Sequence, residues 1–457
     1  MTESKDLIHA DPRSVLLESR MSLFQWGAVL IVAALAALDG YDILAITVAA
    51  PSIVAEWGMK PDALGIVFSI ALLGMAVGSF VVAPIGDVIG RRPMALITVS
   101  LQTAGMLLTT VAPDVASLVA CRFLTGIGIG ATIAIINPLM TEFANRKHRD
   151  FALSLMSVGI PIGGVVAGLV AHNWLSHDNW RGIFLVASVA SLGLIALSLL
   201  VLPESIAFMI EKPGPRSLDR VNSFLSRCGH PRVDKLPPPS PKTAGPRLFE
   251  IFAAGNLGKT LHVSAIVLFY TLTIYFFLSW MPQMVVRAGF LPPDAANVMV
   301  TQNMCGVFAG ASLGWAASRL PIKWLGLVAL VGGGVGTVVF GQVPADLRIL
   351  TLTAALAGAC LHASMVAMHS LIAVTYPPHL RAMGAGFSLG MARIGSAVGP
   401  AAAGFLFAAG MDRSGVTTIM GLGCLVAAGL LLLFKVSNFG HAERSAGVTA
   451  PEPLPAD

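Results

Sequence analysis

Asp39-Gly-Tyr-Asp42 lies inside an apolar run that begins near residue 24 and is followed by Pro51. Ionisable side chains within a bilayer cost about 2.5–3.5 kcal/mol each on insertion scales, and they mark ion or substrate pathways. At i and i+3 the two carboxylates share one helix face, where they are candidates for taking up and releasing a proton. Two arginines stand at comparable positions. Arg122 is about six residues, roughly 9 Å, inside one end of the fourth apolar run, and Asp42 is about eight residues, roughly 12 Å, from the corresponding end of the first. The depths are similar, so an ion pair between them is feasible. Arg393, about twelve residues beyond Arg381, falls near mid-span in the eleventh run. A guanidinium there suits bidentate capture of a carboxylate.

Other side chains fit a small-molecule site less specifically. Tyr41, Tyr270, Tyr275 and Trp280 offer faces for stacking on a ring, although aromatics at such positions also serve as packing anchors. His362 and His369 share one face of the tenth run about 10.5 Å apart, too far to ligate one small metal ion. They are candidates for tuning substrate choice. The cysteines Cys121, Cys228, Cys305, Cys360 and Cys424 are odd in number and form no CxxC, which gives no disulfide framework and no zinc site. Gly258-Lys259-Thr260 approaches a phosphate loop but enters an apolar run rather than following a strand, so nucleotide binding is not expected. No nucleophile–base set stands at membrane depth. The chain is expected to be neither an enzyme nor a cofactor protein.

The elements that must position these residues are membrane helices. Of 457 residues, 55% are hydrophobic and 12% charged, with mean hydropathy +0.79; a soluble chain carries roughly a quarter charged residues. A bilayer core of about 30 Å takes roughly 20 apolar residues in a helix, and twelve such runs extend from 24–50 to 415–436. Most of the 29 lysines and arginines fall in segments that lie on one side if the N-terminus is cytoplasmic. The exceptions are Lys60, Arg122, Arg181, Arg287, Arg348, Arg393 and Arg413. This asymmetry follows the positive-inside rule, so the pI near 9.1 reports topology rather than nucleic-acid binding.

The N-terminal stretch has no continuous apolar core and is not expected to be a signal peptide. The organisation expected is a cytoplasmic N-terminus (1–23), a six-helix bundle (24–202), a cytoplasmic linker (203–257), a second six-helix bundle (258–436) and a cytoplasmic tail (437–457). Proline in LPPPSPKTAGP rules out one continuous linker helix, though a short helix is expected around Ser217–Arg227. Two such halves suggest a parallel repeat with the substrate site between them near the midplane.

Several motifs point to one family. The loop after the second run, Ala83-Pro-Ile-Gly-Asp87-Val-Ile-Gly90-Arg91-Arg92, resembles the G-x-x-x-D-R-x-G-R-R signature of the major facilitator superfamily, with Ala83 and Val88 departing from it. Its counterpart, Gly314-Trp-Ala-Ala-Ser318-Arg319, has serine where an acid is expected. The D-G-[FY]-D tetrad at 39–42 resembles the aromatic acid–proton symporters of that superfamily. So does Arg122-Phe-Leu-Thr-Gly126-Ile-Gly128-Ile-Gly130, followed by Thr141-Glu142-Phe143 and Arg149. Asn179-Trp180-Arg181, Leu202-Pro203-Glu204-Ser205, Ser279-Trp280-Met281-Pro282, Tyr376-Pro377 and Arg393-Ile-Gly395-Ser396 continue the resemblance along nearly the whole chain.

The resemblance implies an all-α major facilitator fold of twelve transmembrane helices in two six-helix bundles, in a bacterial cytoplasmic (inner) membrane with both termini cytoplasmic. It implies proton-coupled import of a small aromatic carboxylate by a monomer in the lipid bilayer. The alternatives are transport of another organic acid, or export of a drug or metabolite. Asp39 or Asp42 would take a proton and loosen its hold on Arg122 or another cation, and the substrate carboxylate would take that partner or Arg393. Asp87, Gly90, Arg91, Arg92, Glu142, Arg149, Arg319 and Arg381 are expected to hold the cytoplasmic side closed in one state, with Glu142 paired to the loop arginines.

Overall fold

Long apolar runs without water to bond their backbones are driven to satisfy every N–H and C=O internally, and the chain does so as helices. The computed structural model describes residues 11–177, 179–238, 250–253, 256–317, 319–376 and 380–434. Twelve long helical segments carry it: α1 (Leu23–Trp57), α2 (Pro61–Ile89), α3 (Arg91–Thr110), α4 (Val115–Phe143), α5 (Arg149–Leu175), α6 (Arg181–Val201), α7 (Leu257–Arg287), α8 (Pro292–Ala316), α9 (Ile322–Gln342), α10 (Leu347–Thr375), α11 (Arg381–Ala408) and α12 (Arg413–Leu433). Among the described residues, eleven helices are long and apolar enough to cross a membrane. The other, α8, has the length but carries Asn297, Thr301, Gln302 and Asn303 in its middle. Gln302 and Asn303 are wholly buried against neighbouring helices, so α8 turns these two amides inward, while Asn297 is exposed.

Local signals set the helix ends. Ser22 and Gln25 form a reciprocal capping box at the start of α1, and Gly58 closes that helix in the left-handed region at φ 59°. α1 runs past its expected end near residue 50 because Pro51 is carried inside the helix, as proline can be where packed neighbours satisfy the freed carbonyl. Asp114, Asp346 and Asp412 cap α4, α10 and α12. The end of α2 is irregular: a π turn at Gly78–Val82 and a 3₁₀ turn at Ala83–Ile85 precede its last turn.

The two halves repeat one packing scheme. In the first, α1 packs on α5 and α6, α2 on α4, and α3 on α4 and α6; in the second, α7 packs on α11 and α12, α8 on α10, and α9 on α10 and α12. The halves meet through α2 with α11, α5 with α8, and α1 with α7. At the end bearing the α1–α2 turn they touch backbone to backbone. A Cβ on Gly65 would come 2.9 Å from the Pro400 carbonyl oxygen, and one on Gly404 would come 2.7 Å from that of Pro61. The bundle is closed there.

Short helices at Pro12–Glu18, Ile206–Glu211 and Ser217–Arg227 lie at the opposite end, the last as expected from the sequence. Ser217–Arg227 lays Val221, Phe224 and Leu225 inward, with Phe224 against Phe24 of α1 and Phe143 of α4. The expected first ten residues of the N-terminus, linker residues 239–249, Ser318, Pro377 and the tail from 435 lie outside the described residues.

Candidate functional site

α1 brings its two carboxylates into the interior of the first bundle. Asp42 meets Arg122 of α4 across two parallel bonds, Nη1 to Oδ1 at 2.9 Å and Nη2 to Oδ2 at 3.0 Å, and Nη2 also donates to the Asp42 carbonyl at 3.2 Å. Both side chains have zero exposure. Phe184 of α6 lies under the guanidinium, 5.8 Å from its centroid. The pair feasible on depth is thus formed, and it belongs to Asp42.

Asp39 is equally buried, yet neither of its oxygens has a protein hydrogen-bond partner. The amide of Gln102, on α3, faces it without reaching hydrogen-bonding geometry, and both amide atoms are likewise unpartnered. The motif glycines bring these helices close. Gly126 and Gly130 of α4 press on the backbone of α2 at Ala71 and Met75, while a Cβ on Gly128 would lie 2.7 Å from the Gln102 nitrogen of α3. Gln102 did not stand out in the sequence. Its signal was a lone amide at mid-span of an apolar helix, outside any motif.

Between the halves lies a second group of side chains. Leu72, Met75, Ile129 and Ala397 form a small apolar cluster, with Ile43, Ile133 and Tyr275 packed against it. One turn before Ala397 on α11, Arg393 is half-buried and faces His369 of α10. His369 is exposed although it stands well inside α10. His362 donates its Nδ1–H to the Gly358 carbonyl at 2.8 Å and lies over Gly306 of α8. A guanidinium, an imidazole and an apolar floor reached from α1, α2, α4, α7 and α11 can hold a small anion that carries a ring.

Tyr41 and Trp280 stand elsewhere. The Tyr41 hydroxyl donates to the Ile183 carbonyl at 2.8 Å, which commits it to the α1–α6 interface. Trp280 is wholly buried, donates to the Pro400 carbonyl at 3.0 Å, and has Phe68 and Phe407 around its ring. In this conformation it packs the closed end and offers no ring face to a ligand. Tyr270, bonded to the Leu361 carbonyl, is buried in the same manner.

The α2–α3 loop is organised by two acids, Glu142 of α4 and Glu204 just beyond α6. Gly90, at φ 111°, caps α3 and leaves room for Glu204, whose Oε1 accepts from the Arg91 and Arg92 backbone N–H groups at 2.9 and 3.0 Å. A carboxylate at a helix N-terminus is favoured by the helix dipole. The Arg91 guanidinium pairs with Glu142, which also accepts from the Ser205 hydroxyl at 2.6 Å. Arg92 donates to the Leu199 carbonyl at 2.6 Å, and Lys212 to the Asp87 carbonyl at 2.7 Å. The Asp87 side chain and Arg149 are exposed, and Arg319 lies 4.0 Å from the Trp315 ring centroid. Arg381 begins α11, but its side chain is outside the described residues. Among the described residues, no group of three or more His, Cys, Asp or Glu side chains could hold a metal ion.

Comparison with known proteins agrees with this architecture. The chain is similar to the 4-hydroxybenzoate transporter PcaK of Pseudomonas putida, 29% identical with 90% of this chain and 92% of that one covered. It is also similar to a gallate transporter of Pseudomonas putida, 26% identical over 94% and 96%, and to the 3-(3-hydroxy-phenyl)propionate transporter of Escherichia coli, 28% identical over 88% and 92%. Its fold matches an inward-facing, occupied structure of a bacterial homolog of the human lysosomal transporter Spinster, with TM-score 0.71, 15% identity and coverage of 91% and 97%. The xylose transporter XylE of Escherichia coli, partially occluded and inward open, matches with TM-score 0.67, 18% identity and coverage of 90% and 98%. The sequence profile of the Major Facilitator Superfamily covers residues 30–346. With that profile, the repeated six-helix packing and the full-length transporter relatives in agreement, this multi-pass membrane chain belongs to the major facilitator superfamily.

Proposed function

We propose that the protein is a proton-coupled symporter that carries a small aromatic carboxylate into the cell across a bacterial cytoplasmic membrane by alternating access. The observation that carries this reading is the division of labour in α1: Asp42 is held by Arg122, while Asp39 is buried with no protein donor. An isolated carboxylate in such a site is tolerated in its protonated, uncharged form, since burying the charge unpaired is prohibitive. Asp39 is then the proton carrier of this conformation, and the Asp42–Arg122 pair is its fixed electrostatic neighbour. The similarity to transporters of 4-hydroxybenzoate, gallate and benzoate supports the substrate class.

The substrate carboxylate pairs with Arg393, with His369 beside it, and the ring lies on the apolar floor of Ile43, Ile129, Tyr275 and Ala397. The closed contacts at Gly65 and Gly404 fit a state open toward the cytoplasm, where the substrate leaves and Asp39 then releases its proton. Once Asp39 is ionised, its unpaired charge disfavours this closed arrangement. Reopening outward lets it take another proton. The two binding events are thereby coupled, each altering the equilibrium for the other. One proton with one monoanion moves no net charge, so the pH difference alone drives uptake, at about 1.4 kcal/mol per unit. A second proton would add about 2.3 kcal/mol per 100 mV.

The test is uptake of labelled hydroxybenzoates into proteoliposomes with pH gradient and voltage set independently, for wild type and Asp39→Asn. Gradient-driven accumulation in wild type that is lost in the variant, with exchange of substrate across the membrane retained, is the expected result. Undiminished accumulation by the variant would move the proton site, and absence of transport for every aromatic acid would overturn the substrate class.

A further inference from the structure

We propose that Gln102 is the positioning residue of the proton site, an uncharged partner that serves Asp39 in both of its protonation states. The inference rests on Asp39 being the proton carrier. Four side-chain atoms, the two oxygens of Asp39 and the amide oxygen and nitrogen of Gln102, are buried and unpartnered, and the two side chains face each other. Both residues have zero exposure. Buried polar atoms are nearly always bonded in folded proteins, so two orphaned groups facing one another mark a site built for a contact made elsewhere in the cycle.

Among the described residues, the surroundings leave Asp39 no other charged partner of either sign. Asp42 is the charged group that faces Asp39, and its partner Arg122 spends both terminal nitrogens on Asp42, with only its Nε unpartnered. Apart from α4, which carries Arg122, the first-half helices near this site have no charged side chain at mid-span: α5 and α6, packed against α1, have none over residues 151–171 and 182–201, and α3, which carries Gln102, has none over 93–110. A cation at position 102 would hold Asp39 ionised, and an apolar residue would leave it without a bond in either form. A primary amide does neither. Its nitrogen donates to the carboxylate, its oxygen accepts from the carboxylic O–H, and a half-turn about its broad terminal torsion exchanges the two roles. It stabilises both forms without adding a charge. The α3–α4 contact that presents it is fixed by Gly128 behind Gln102 and by the Thr132 hydroxyl bonded to that of Thr98 at 2.9 Å, one turn away.

Gln102→Met keeps the length and removes both hydrogen-bonding functions. A bond to a charged group is worth more than one to its neutral form, so losing the amide penalises the ionised state more. The expected result is an upward displacement of about one pH unit in the midpoint of the pH–uptake profile, with substrate exchange retained. Thr98→Val removes a buried α3–α4 bond without touching Asp39, and its midpoint is expected to match wild type. If Asp39→Asn abolishes gradient-driven uptake while Gln102→Met keeps the wild-type midpoint, the role of Gln102 is overturned and the Asp39 reading stands. If Asp39→Asn remains fully coupled, the Asp39 reading fails, and the Gln102 inference with it. A second measurement does not depend on the Gln102 variant folding. In protein carrying isotope-labelled glutamine, the infrared difference between acid and neutral pH should contain a side-chain amide band together with a carboxyl band, both absent from Asp39→Asn. A carboxyl band without its amide counterpart would overturn the proposal.

Discussion

Arg122 and Asp42 stand 80 residues apart in the chain and meet as a two-bond fork, 2.9 and 3.0 Å, with no exposure of either side chain. The fork consumes both terminal nitrogens of the guanidinium, so neither is left for the neighbouring Asp39, whose oxygens have no protein hydrogen-bond partner. Removing one partner of such a pair leaves an uncompensated buried charge. Arg122→Ala is therefore expected to cost about 3–5 kcal/mol of stability, read as a lowered thermal midpoint in detergent. The double variant Asp42→Asn/Arg122→Gln leaves no charge and is expected to recover much of that loss while still failing to transport. A double variant no more stable than Arg122→Ala would mean that the pair holds the fold by shape rather than by charge.

Arg393 is half-buried beside His369 and above the apolar floor at Ala397. A charge-assisted bond to the substrate carboxylate is worth about 1.5–3 kcal/mol. Arg393→Gln should accordingly weaken substrate binding by roughly 10- to 100-fold, and Arg393→Lys by less, since it keeps the charge and loses the fork. Calorimetric titration of purified protein with hydroxybenzoate checks this. Equal affinity for Arg393→Gln and wild type would remove Arg393 from the site.

The closed end depends on backbones meeting at Gly65, where a Cβ would lie 2.9 Å from the Pro400 carbonyl oxygen and 3.0 Å from the Gly404 Cα. Neither atom is the end of a flexible side chain. Gly65→Val is expected to disfavour closure at this end and shift the population toward the opposite state. Spin labels at Lys60→Cys and Met411→Cys, on the α1–α2 and α11–α12 turns, should report a longer distance in the variant. An unchanged distance distribution would show that the interface absorbs the added side chain.

The linker segment has a pH dependence of its own. His230 bonds the Ser19 hydroxyl at 3.0 Å, and burial holds its pKa below the usual 6.5. The docked segment thus binds a proton less readily than the undocked one. Docking is fully favoured above about pH 6.5 and weakens as pH falls through the depressed value. Amides of Val221–Cys228 are expected to exchange faster, after correction for intrinsic rates, at about pH 5.5 than at about pH 7.5. His230→Gln should flatten the difference, and a pH-independent wild type would show that the histidine does not feel the docking.

Much of the candidate machinery was legible in the sequence. Charged residues in apolar runs are costly, which made Asp39, Asp42, Arg122 and Arg393 conspicuous, and counting residues along a helix of fixed rise gave Asp42 and Arg122 similar depths. The helix at Ser217–Arg227 was expected and is present, and Glu142 pairs with a loop arginine as expected. Glycine spacing in Gly126-Ile-Gly128-Ile-Gly130 carried the family resemblance, and its packing meaning, two contacts to α2 and one to α3, came from the fold.

By itself the sequence determined the properties that belong to one helix at a time: which runs span the membrane, which face carries the acids, and at what depth each charge sits. Tertiary structure decided what depends on which helix stands opposite. Asp39 and Asp42 share a face, but only the placement of α4 and α3 gives Asp42 the guanidinium and leaves Asp39 facing Gln102. Trp280 and Tyr41 had the right side chains for a ring and were turned into packing by α11 and α6, which take up their N–H and O–H. α8 read as one more span, yet its polar middle is explained only by the neighbours that bury Gln302 and Asn303. The physical reason is common to all of these. Hydrophobic cost and helix geometry act along the chain and can be counted from it, whereas hydrogen-bond partners are chosen by the packing of helices distant in sequence.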